Sequence, residues 1–163
     1  MTPEDRERLI KRLEELHASE DRAALATLRR ALSGREADVL RAFRYVGYQL
    51  SSHPKDQDTG ILVGALFALH PQEGGSGNMG KHLARLRRAD ESKAQSIEHK
   101  FTALVTAQHD NLSTRLRQVV SLLEAGQVPV NWPQLLYDLD YWDHEDRFVQ
   151  RQWASAFWRI EEN

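Results

Sequence analysis

The stretch Val128-Pro-Val-Asn-Trp-Pro-Gln-Leu-Leu-Tyr-Asp-Leu-Asp-Tyr-Trp142, continued by Val149-Gln-Arg-Gln-Trp-Ala-Ser-Ala-Phe-Trp158, contains all four tryptophans of the chain. Its apolar residues recur at helical spacing, and Pro133 and the segment Asp143-His-Glu145 are typical of helix starts. Large aromatic side chains supply much of the core of a small helical domain, but they also anchor protein interfaces. The stretch therefore predicts two helices and leaves its tryptophans either buried or facing a partner.

The remainder of the chain is also patterned for helices. Leu, Ala, Arg and Glu are spread through long segments, whereas the 9 glycines and 5 prolines fall mainly in a few clusters. We predict an all-α chain of about nine helices, and the further helical patterns cover residues 2–17, 19–32, 36–50, 79–90, 92–107 and 111–125. The third of these has Val39, Leu40, Phe43 and Val46 on one face. The run Ile61–Leu69 is apolar on every side, which predicts deep burial as either a helix or a strand.

Chain length and loop composition predict the domain organisation. With 163 residues the chain is the size of one ordinary domain, so we expect a single helical domain over residues 1–163 or two helical halves, 1–70 and 77–163. The polar segment Ser51–Asp58 and the glycine-rich segment Glu73–Gly80 are predicted to be loops, the second of them flexible.

Cysteine content and hydropathy predict the cellular location of the protein. The chain has no cysteine, so it forms neither a disulfide framework nor a thiolate metal site. The first eight residues are charged where a signal peptide needs an apolar core, and Ile61–Leu69 is far too short for a membrane span. We therefore expect a soluble, cytoplasmic protein that does not contact a membrane.

Charge is distributed unevenly along the chain. The formal net charge is -2, but residues 78–120 carry 8 basic and 4 acidic residues, while residues 121–163 carry 3 basic and 8 acidic. A basic middle and an acidic end favour two kinds of partner, a polyanion and a protein, although an ordinary patchy surface has the same appearance.

The basic residues of the middle segment fall on predicted helix faces. Lys81, Arg85 and Arg88 share one face of the helix predicted over residues 79–90, opposite an apolar face formed by Met79, Leu83 and Leu86. The next two helices add Lys93, Lys100, Arg115 and Arg117. Such cations neutralise phosphates without reading bases, although a solvated helix face is the alternative interpretation. Few aromatics lie among them, so base stacking is not indicated.

Catalytic and metal-binding patterns are incomplete in this sequence. Gly75-Ser-Gly-Asn-Met-Gly-Lys81 matches the phosphate-binding pattern G-x-x-x-x-G-K, but His82 stands where a Ser or Thr should hold Mg²⁺. The seven histidines have no metal-ligand spacing, and the acids between Asp138 and Asp146 lack that of a calcium loop, so we interpret those acids as solvating a turn. We expect no enzyme activity, no metal and no cofactor.

Several short motifs, collinear from about residue 21 to 158, resemble one protein family. They include Leu28-Arg-Arg30, Phe43-Arg44, Gly80-Lys-His-Leu83, Ile97-Glu-His-Lys-Phe101, Leu116-Arg117 and the Trp-rich stretch. The family is CasB, the small subunit of the type I-E CRISPR surveillance complex called Cascade. The resemblance implies an all-helical, non-catalytic subunit present in two copies. Its implied partners are the crRNA-bound backbone subunits, the large subunit, a second copy of itself, crRNA and target DNA.

The resemblance also implies which residues contact nucleic acid. By motif, Arg30, Arg44, Lys81, Lys100 and Arg117 are expected to contact phosphates, with Arg29, Arg85, Arg88 and Arg115 as neighbours. The implied role is to steady the crRNA–target hybrid and the displaced strand of the R-loop. His99 and Gln118 depart from the family pattern, because a second cation can stand at each of these positions.

A helical protein–protein adaptor is the alternative from another class. In that case the acidic C-terminal third would be the functional face, and the cations would only solubilise the protein. An adaptor does not need Lys81, Arg85 and Arg88 on one face, so this arrangement favours nucleic-acid binding.

Overall fold

The computed structural model describes residues 1–159, which contain nine α-helices and no strand, so the all-α prediction is confirmed. Its contacts divide the chain into two units, Met1–Pro71 and Gln72–Asn163. None of the helices in residues 1–159 has both the length and the apolar character needed to cross a membrane.

The first unit consists of four helices: α1 (Pro3–Ala18), α2 (Arg22–Arg30), α3 (Glu36–Val46) and α4 (Pro54–Leu69), with short 3₁₀ turns at Ala31–Ser33 and Gly47–Gln49. Thr2 and Asp5 form a reciprocal capping box at the start of α1, and Pro3 occupies its first turn, as the sequence predicts. Leucines of α1 and α2, together with α4, form the buried core of this unit.

Helix α2 begins three residues later than the predicted start at Ser19. Ser19 instead ends α1, where its N–H donates to backbone carbonyls of that helix, and Glu20 adopts a positive φ of 54°. The Asp21 carboxylate then accepts a hydrogen bond from the Ala24 N–H at 3.0 Å. Asp is a strong N-cap, so it fixes the start of α2.

The predicted apolar face of α3 is confirmed at Val46 but wrong at Leu40. Leu40 is 57% exposed, while Asp38, Ala42 and Val46 are buried at four-residue spacing. Asp38 tolerates this position because its carboxylate accepts a hydrogen bond from the Ser33 hydroxyl and ion-pairs with two arginines. A buried carboxylate with partners cannot be recognised from an apolar pattern.

The predicted loop Ser51–Asp58 is wrong beyond residue 53. Pro54 opens α4 rather than interrupting a loop, and Asp56 in the first turn accepts a hydrogen bond from the Ser51 hydroxyl. The apolar run Ile61–Leu69 forms the second half of this helix and is almost entirely buried. The helix alternative for this run is therefore the correct one.

The second unit contains five helices: α5 (Met79–Ala89), α6 (Ala94–Val105), α7 (His109–Ala125), α8 (Trp132–Asp140) and α9 (Phe148–Trp158). Helix α5 packs most extensively against α9 and also contacts α6 and α7. At their closest approach, a Cβ on Gly80 would lie 2.0 Å from the Trp153 carbonyl oxygen. Only glycine allows α5 and α9 to come this close.

Three of the four tryptophans are core residues. Trp132, Trp142 and Trp153 are at most 1% exposed, whereas Trp158 is 50% exposed. The Trp153 indole N–H donates to the Asp138 carboxylate at 2.7 Å. Asp138 is therefore buried inside the unit, and the prediction that it solvates a turn is wrong.

Helix α9 begins at Phe148, later than the predicted start near Asp143. Arg147, just before it, adopts a left-handed conformation with φ 54°, and its guanidinium donates to the Val105 carbonyl at 3.0 Å. This tertiary contact holds residues 141–147 in a turn, although the local sequence is compatible with an earlier helix start.

Candidate nucleic-acid interface

Helix α5 presents a basic face to solvent. Lys81, Arg85 and Arg88 are exposed, while Met79, Leu83 and Leu86 on the same helix are buried. The Asn78 side chain caps the helix by accepting from the Lys81 N–H at 3.1 Å, and the Lys81 ammonium donates to the Ser76 hydroxyl at 3.2 Å. Lys81 and Arg85 form no ion pair within residues 1–159, which leaves both cations able to meet an external anion.

The glycine-rich loop before α5 lacks the strand that precedes a nucleotide-binding loop of this pattern. A phosphate-cradling loop follows a strand, but the element before this loop is helix α4. Gly75 and Gly80 are explained by packing, because a Cβ on Gly75 would lie 2.6 Å from the Pro129 carbonyl oxygen and Gly80 meets α9. The match to G-x-x-x-x-G-K thus reflects close backbone packing.

Arg87 has a structural role and does not join the basic face. Its guanidinium donates to the Phe157 carbonyl at 2.9 Å and lies 4.3 Å from the Phe157 ring centroid. It also contacts Glu98 of α6 at 3.5 Å. Arg87 therefore ties α5 to α6 and α9.

The other predicted contacts of the second unit lie on α6 and α7. Lys100 is half-buried and donates to the Ser96 hydroxyl at 3.0 Å, and Arg115 is half-buried beside Gln118 at 3.4 Å. Arg117 is exposed. Lys100 and Arg115 are therefore less accessible to an external phosphate than the exposed cations of α5, whereas Arg117 is exposed, as they are.

The remaining predicted contacts lie in the first unit. Arg29 and Arg30 are exposed in the last turn of α2, and Arg44 is exposed in the last turn of α3, with its guanidinium 5.6 Å from the Tyr45 ring centroid. Cations at helix C-termini also stabilise the helix dipole, so these positions have a structural explanation as well. The nine predicted residues are thus divided between two units, three in the first and six in the second.

Sequence reasoning missed Arg159. This residue directly follows α9 and, with Lys81 and Arg88, lines an open groove of about 140 Å³ between α5 and α9. Ala84 and Ala156 complete the lining. The sequence contained one signal, because Gly80 and Ala84 place small residues one turn apart on α5 and so favour a close helix neighbour.

His82 lies on α5 between two of these cations but is buried. Its Nε2 accepts a hydrogen bond from the Asn131 N–H at 3.0 Å, which requires a neutral ring. Burial, together with the smaller effect of the positive charges of Lys81 and Arg85, lowers the pKa of His82 to about 4. His82 therefore holds α5 to the start of α8 and adds no charge to the basic face at neutral pH.

This lowered pKa predicts that stability falls as the pH falls. Between pH 6.5 and about 4 the unfolded chain binds a proton at His82 and the folded chain does not. Moving from pH 7 to pH 5 should therefore remove about 2 kcal/mol of the free energy of unfolding through His82, seen as the difference between wild type and a variant that does not titrate at this position. Urea unfolding at the two pH values measures the change.

His82→Gln is the control for this prediction, since its amide oxygen can accept the same hydrogen bond without titrating. An equal loss in that variant would contradict the assignment to His82. Other shifted groups do not mimic the effect. Burial raises the pKa of Asp138, so acidification stabilises the folded protein through this residue. The carboxyl pKa values of four other residues are lowered from 3.8, so they reduce stability mainly below that pH: Asp5, Asp38, Asp56 and Asp90.

Metal coordination has no support in the part of the chain that the structure describes. Nowhere in residues 1–159 do three His, Asp or Glu side chains come together as a possible metal site. The polar cluster around buried Asp138 is satisfied by protein donors, because Gln134 and Trp153 donate to its two oxygens at 2.8 and 2.7 Å.

Comparison with known proteins gives a consistent result. The family model for CRISPR-associated protein Cse2 matches residues 24–158. The CRISPR-associated protein Cse2 of Thermus thermophilus is 34% identical over 139 residues, covering 83% of this chain and 79% of that protein. The crystal structure of CasB from Thermus thermophilus matches with a TM-score of 0.79 at 30% identity, covering 97% of this chain and 99% of that one. A chain of a CRISPR RNA-guided surveillance complex matches with a TM-score of 0.80 at 28% identity, covering 94% and 91% of the two chains.

Proposed function

The chain belongs to the CRISPR-associated Cse2 (CasB) family, and on that premise we propose that it is the non-catalytic small subunit of a type I-E CRISPR surveillance complex. In this role it works in the cytoplasm beside the crRNA-bound backbone subunits, the large subunit and a second copy of itself. The relative found in an RNA-guided surveillance complex supports assembly, since it shares this fold over nearly the whole of both chains.

We further propose that the subunit binds nucleic-acid backbone and so stabilises the crRNA–target hybrid and the displaced strand. The observation that carries this proposal is the exposed basic face of α5, where Lys81 and Arg85 have no ion-pair partner within residues 1–159. Cations without carboxylate partners displace counterions from phosphates, which gives affinity without sequence preference. R-loop formation is nearly balanced in free energy, so a few such contacts can shift it.

The experiment compares two double variants in the assembled complex. Lys81→Ala with Arg85→Ala should lower single-stranded DNA affinity about 25-fold at 0.1 M salt and reduce the log–log salt slope by about 1.4. Lys11→Ala with Arg22→Ala is the matched control, since it also removes one exposed Lys and one exposed Arg, in the first unit. The control should bind like wild type.

Co-purification with tagged companion subunits and crRNA separates this proposal from a protein adaptor. We expect wild type and both double variants to join the complex. If all three join but the Lys81/Arg85 variant keeps its DNA affinity and salt slope, the adaptor function is correct and the cations are only solubilising. If wild type itself fails to join, assembly as proposed here is wrong.

A further inference from the structure

We propose that the groove between α5 and α9 is a phosphate subsite, in which Lys81, Arg88 and Arg159 receive one phosphodiester of a nucleic-acid strand. Within residues 1–159 the groove is lined by three cations and two alanines. Arg159 is outside every motif considered in the sequence, so the subsite adds a residue and a geometry to the basic face.

Helix packing creates the groove. Gly80 lets α5 approach the Trp153 carbonyl of α9 without a side chain between them. One turn further along α5 and one turn along α9, Ala84 and Ala156 line the space with methyl groups only. Larger side chains at these positions would fill the groove. The two alanines therefore leave the groove open, and the three cations line it.

The dimensions and donors suit a phosphate group. A volume of about 140 Å³ is roughly ten times the 10–15 Å³ that holds one water molecule, so a hydrated phosphate can enter. Arginine presents a planar fork of N–H donors that matches phosphate oxygens, and lysine adds a compact charge. Lys81 also lies in the first turn of α5, where no acidic residue offsets the positive end of the helix dipole.

The lining does not suit a whole nucleotide. Among residues 1–159, its lining side chains include no aromatic ring and none that could accept hydrogen bonds from a base. A bound strand would leave its base outside, which agrees with recognition of the backbone alone. Assignment of the phosphate to a nucleic-acid strand rests on the proposed function.

The first test is an NMR titration of the full chain with inorganic phosphate. The amide signals of Ala84 and Ala156 should shift in wild type and remain unchanged in Arg159→Gln. In Ala156→Leu, which fills the groove but keeps all three cations, the Ala84 signal should remain unchanged. Absence of shifts in wild type, or equal shifts with sodium acetate, would overturn the subsite, because acetate represents the carboxylate of an acidic protein partner.

The second test measures the affinity of the same variants for an oligothymidylate of single-stranded DNA. Arg159→Gln and Ala156→Leu should each weaken binding about 5-fold at 0.1 M salt, with a loss of about 0.7 in the salt slope for the arginine variant. Arg151→Gln is the matched control, since Arg151 is exposed on α9 but outside the groove. It should bind like wild type. Melting curves establish that each variant is folded.

The outcomes separate this inference from the proposed function. One outcome is that the Lys81/Arg85 double variant loses DNA binding while Arg159→Gln and Ala156→Leu keep it. The basic face would then bind DNA through its overall positive charge, and the proposed subsite would be wrong. If phosphate shifts the groove amides but wild type in the complex binds no DNA, the proposed function fails, and the phosphodiester assignment fails with it.

Discussion

Trp142→Ala is expected to lower the free energy of unfolding by about 3–5 kcal/mol, the cost of removing a large buried aromatic side chain. Trp142 is 1% exposed, and its ring centroid lies 5.1 Å from that of Trp153 at an interplanar angle of 56°. It belongs to the turn between α8 and α9, so the cavity would open where both helices are joined. Chemical denaturation of the full chain measures the loss.

Two conservative variants sharpen this prediction. The Trp142 indole N–H has no hydrogen-bond partner among residues 1–159, so Trp142→Phe loses volume but no hydrogen bond seen there and should cost about 1–2 kcal/mol. Trp153→Phe should cost about 1–3 kcal/mol more than Trp142→Phe, because it also removes a hydrogen-bond donor from the buried Asp138 carboxylate. If Trp142→Ala melted like wild type but failed to join the complex, Trp142 would be an interface anchor instead.

Local rules were sufficient for much of the helical architecture. The starts of α1 and α8 follow from proline and side-chain caps, and α5 and α7 follow from apolar periodicity ended by Asp90 and Gly126. In each case the determining contact spans only a few residues. Sequence alone therefore located most helices to within about three residues.

Errors occurred where a distant or charged group fixes the local structure. The buried face of α3 includes Asp38, whose partners are not visible in a hydrophobic pattern. The start of α9 depends on a hydrogen bond from Arg147 to Val105, 42 residues away. For the tryptophans the sequence left both alternatives open, because the separation of exposed Trp158 from the three buried tryptophans depends on packing against other helices.

The same distinction applies to the candidate site. Lys81, Arg85 and Arg88 could be assigned to one exposed face because all three share a helix whose period is known. Arg159 could not, because its place beside Lys81 arises from the crossing of α5 and α9. Arg87, one position from Arg88, is turned toward Phe157 and Glu98 and is excluded from the face by the same periodicity.

Gly80→Ala is expected to destabilise the chain by about 3 kcal/mol, the upper end of the usual cost of overpacking. The added Cβ would lie 2.0 Å from the Trp153 carbonyl oxygen and 2.9 Å from its Cα. These are backbone atoms, so relief requires α5 and α9 to separate rather than a side chain to rotate. Separation would also expose apolar surface between them.

Gly64→Ala is the matched control, since Gly64 is also a helical glycine. Its added Cβ would meet side-chain carbons of Leu13 and Leu28 at 3.6 Å, which is ordinary van der Waals contact. This variant should be neutral or more stable by up to about 1 kcal/mol, because alanine favours the helix. Equal melting temperatures for the two variants would show that the approach of α5 to α9 is not fixed by Gly80.

The Gly80 variant also connects stability with binding. If α5 and α9 separate, Lys81 and Arg88 move away from Arg159, and the groove lined by Ala84 and Ala156 loses its geometry. Under conditions where Gly80→Ala remains folded, we therefore expect weaker single-stranded DNA binding than in wild type, although every cation is retained. Wild-type affinity in the folded variant would mean that charge alone, independent of the α5–α9 spacing, determines binding.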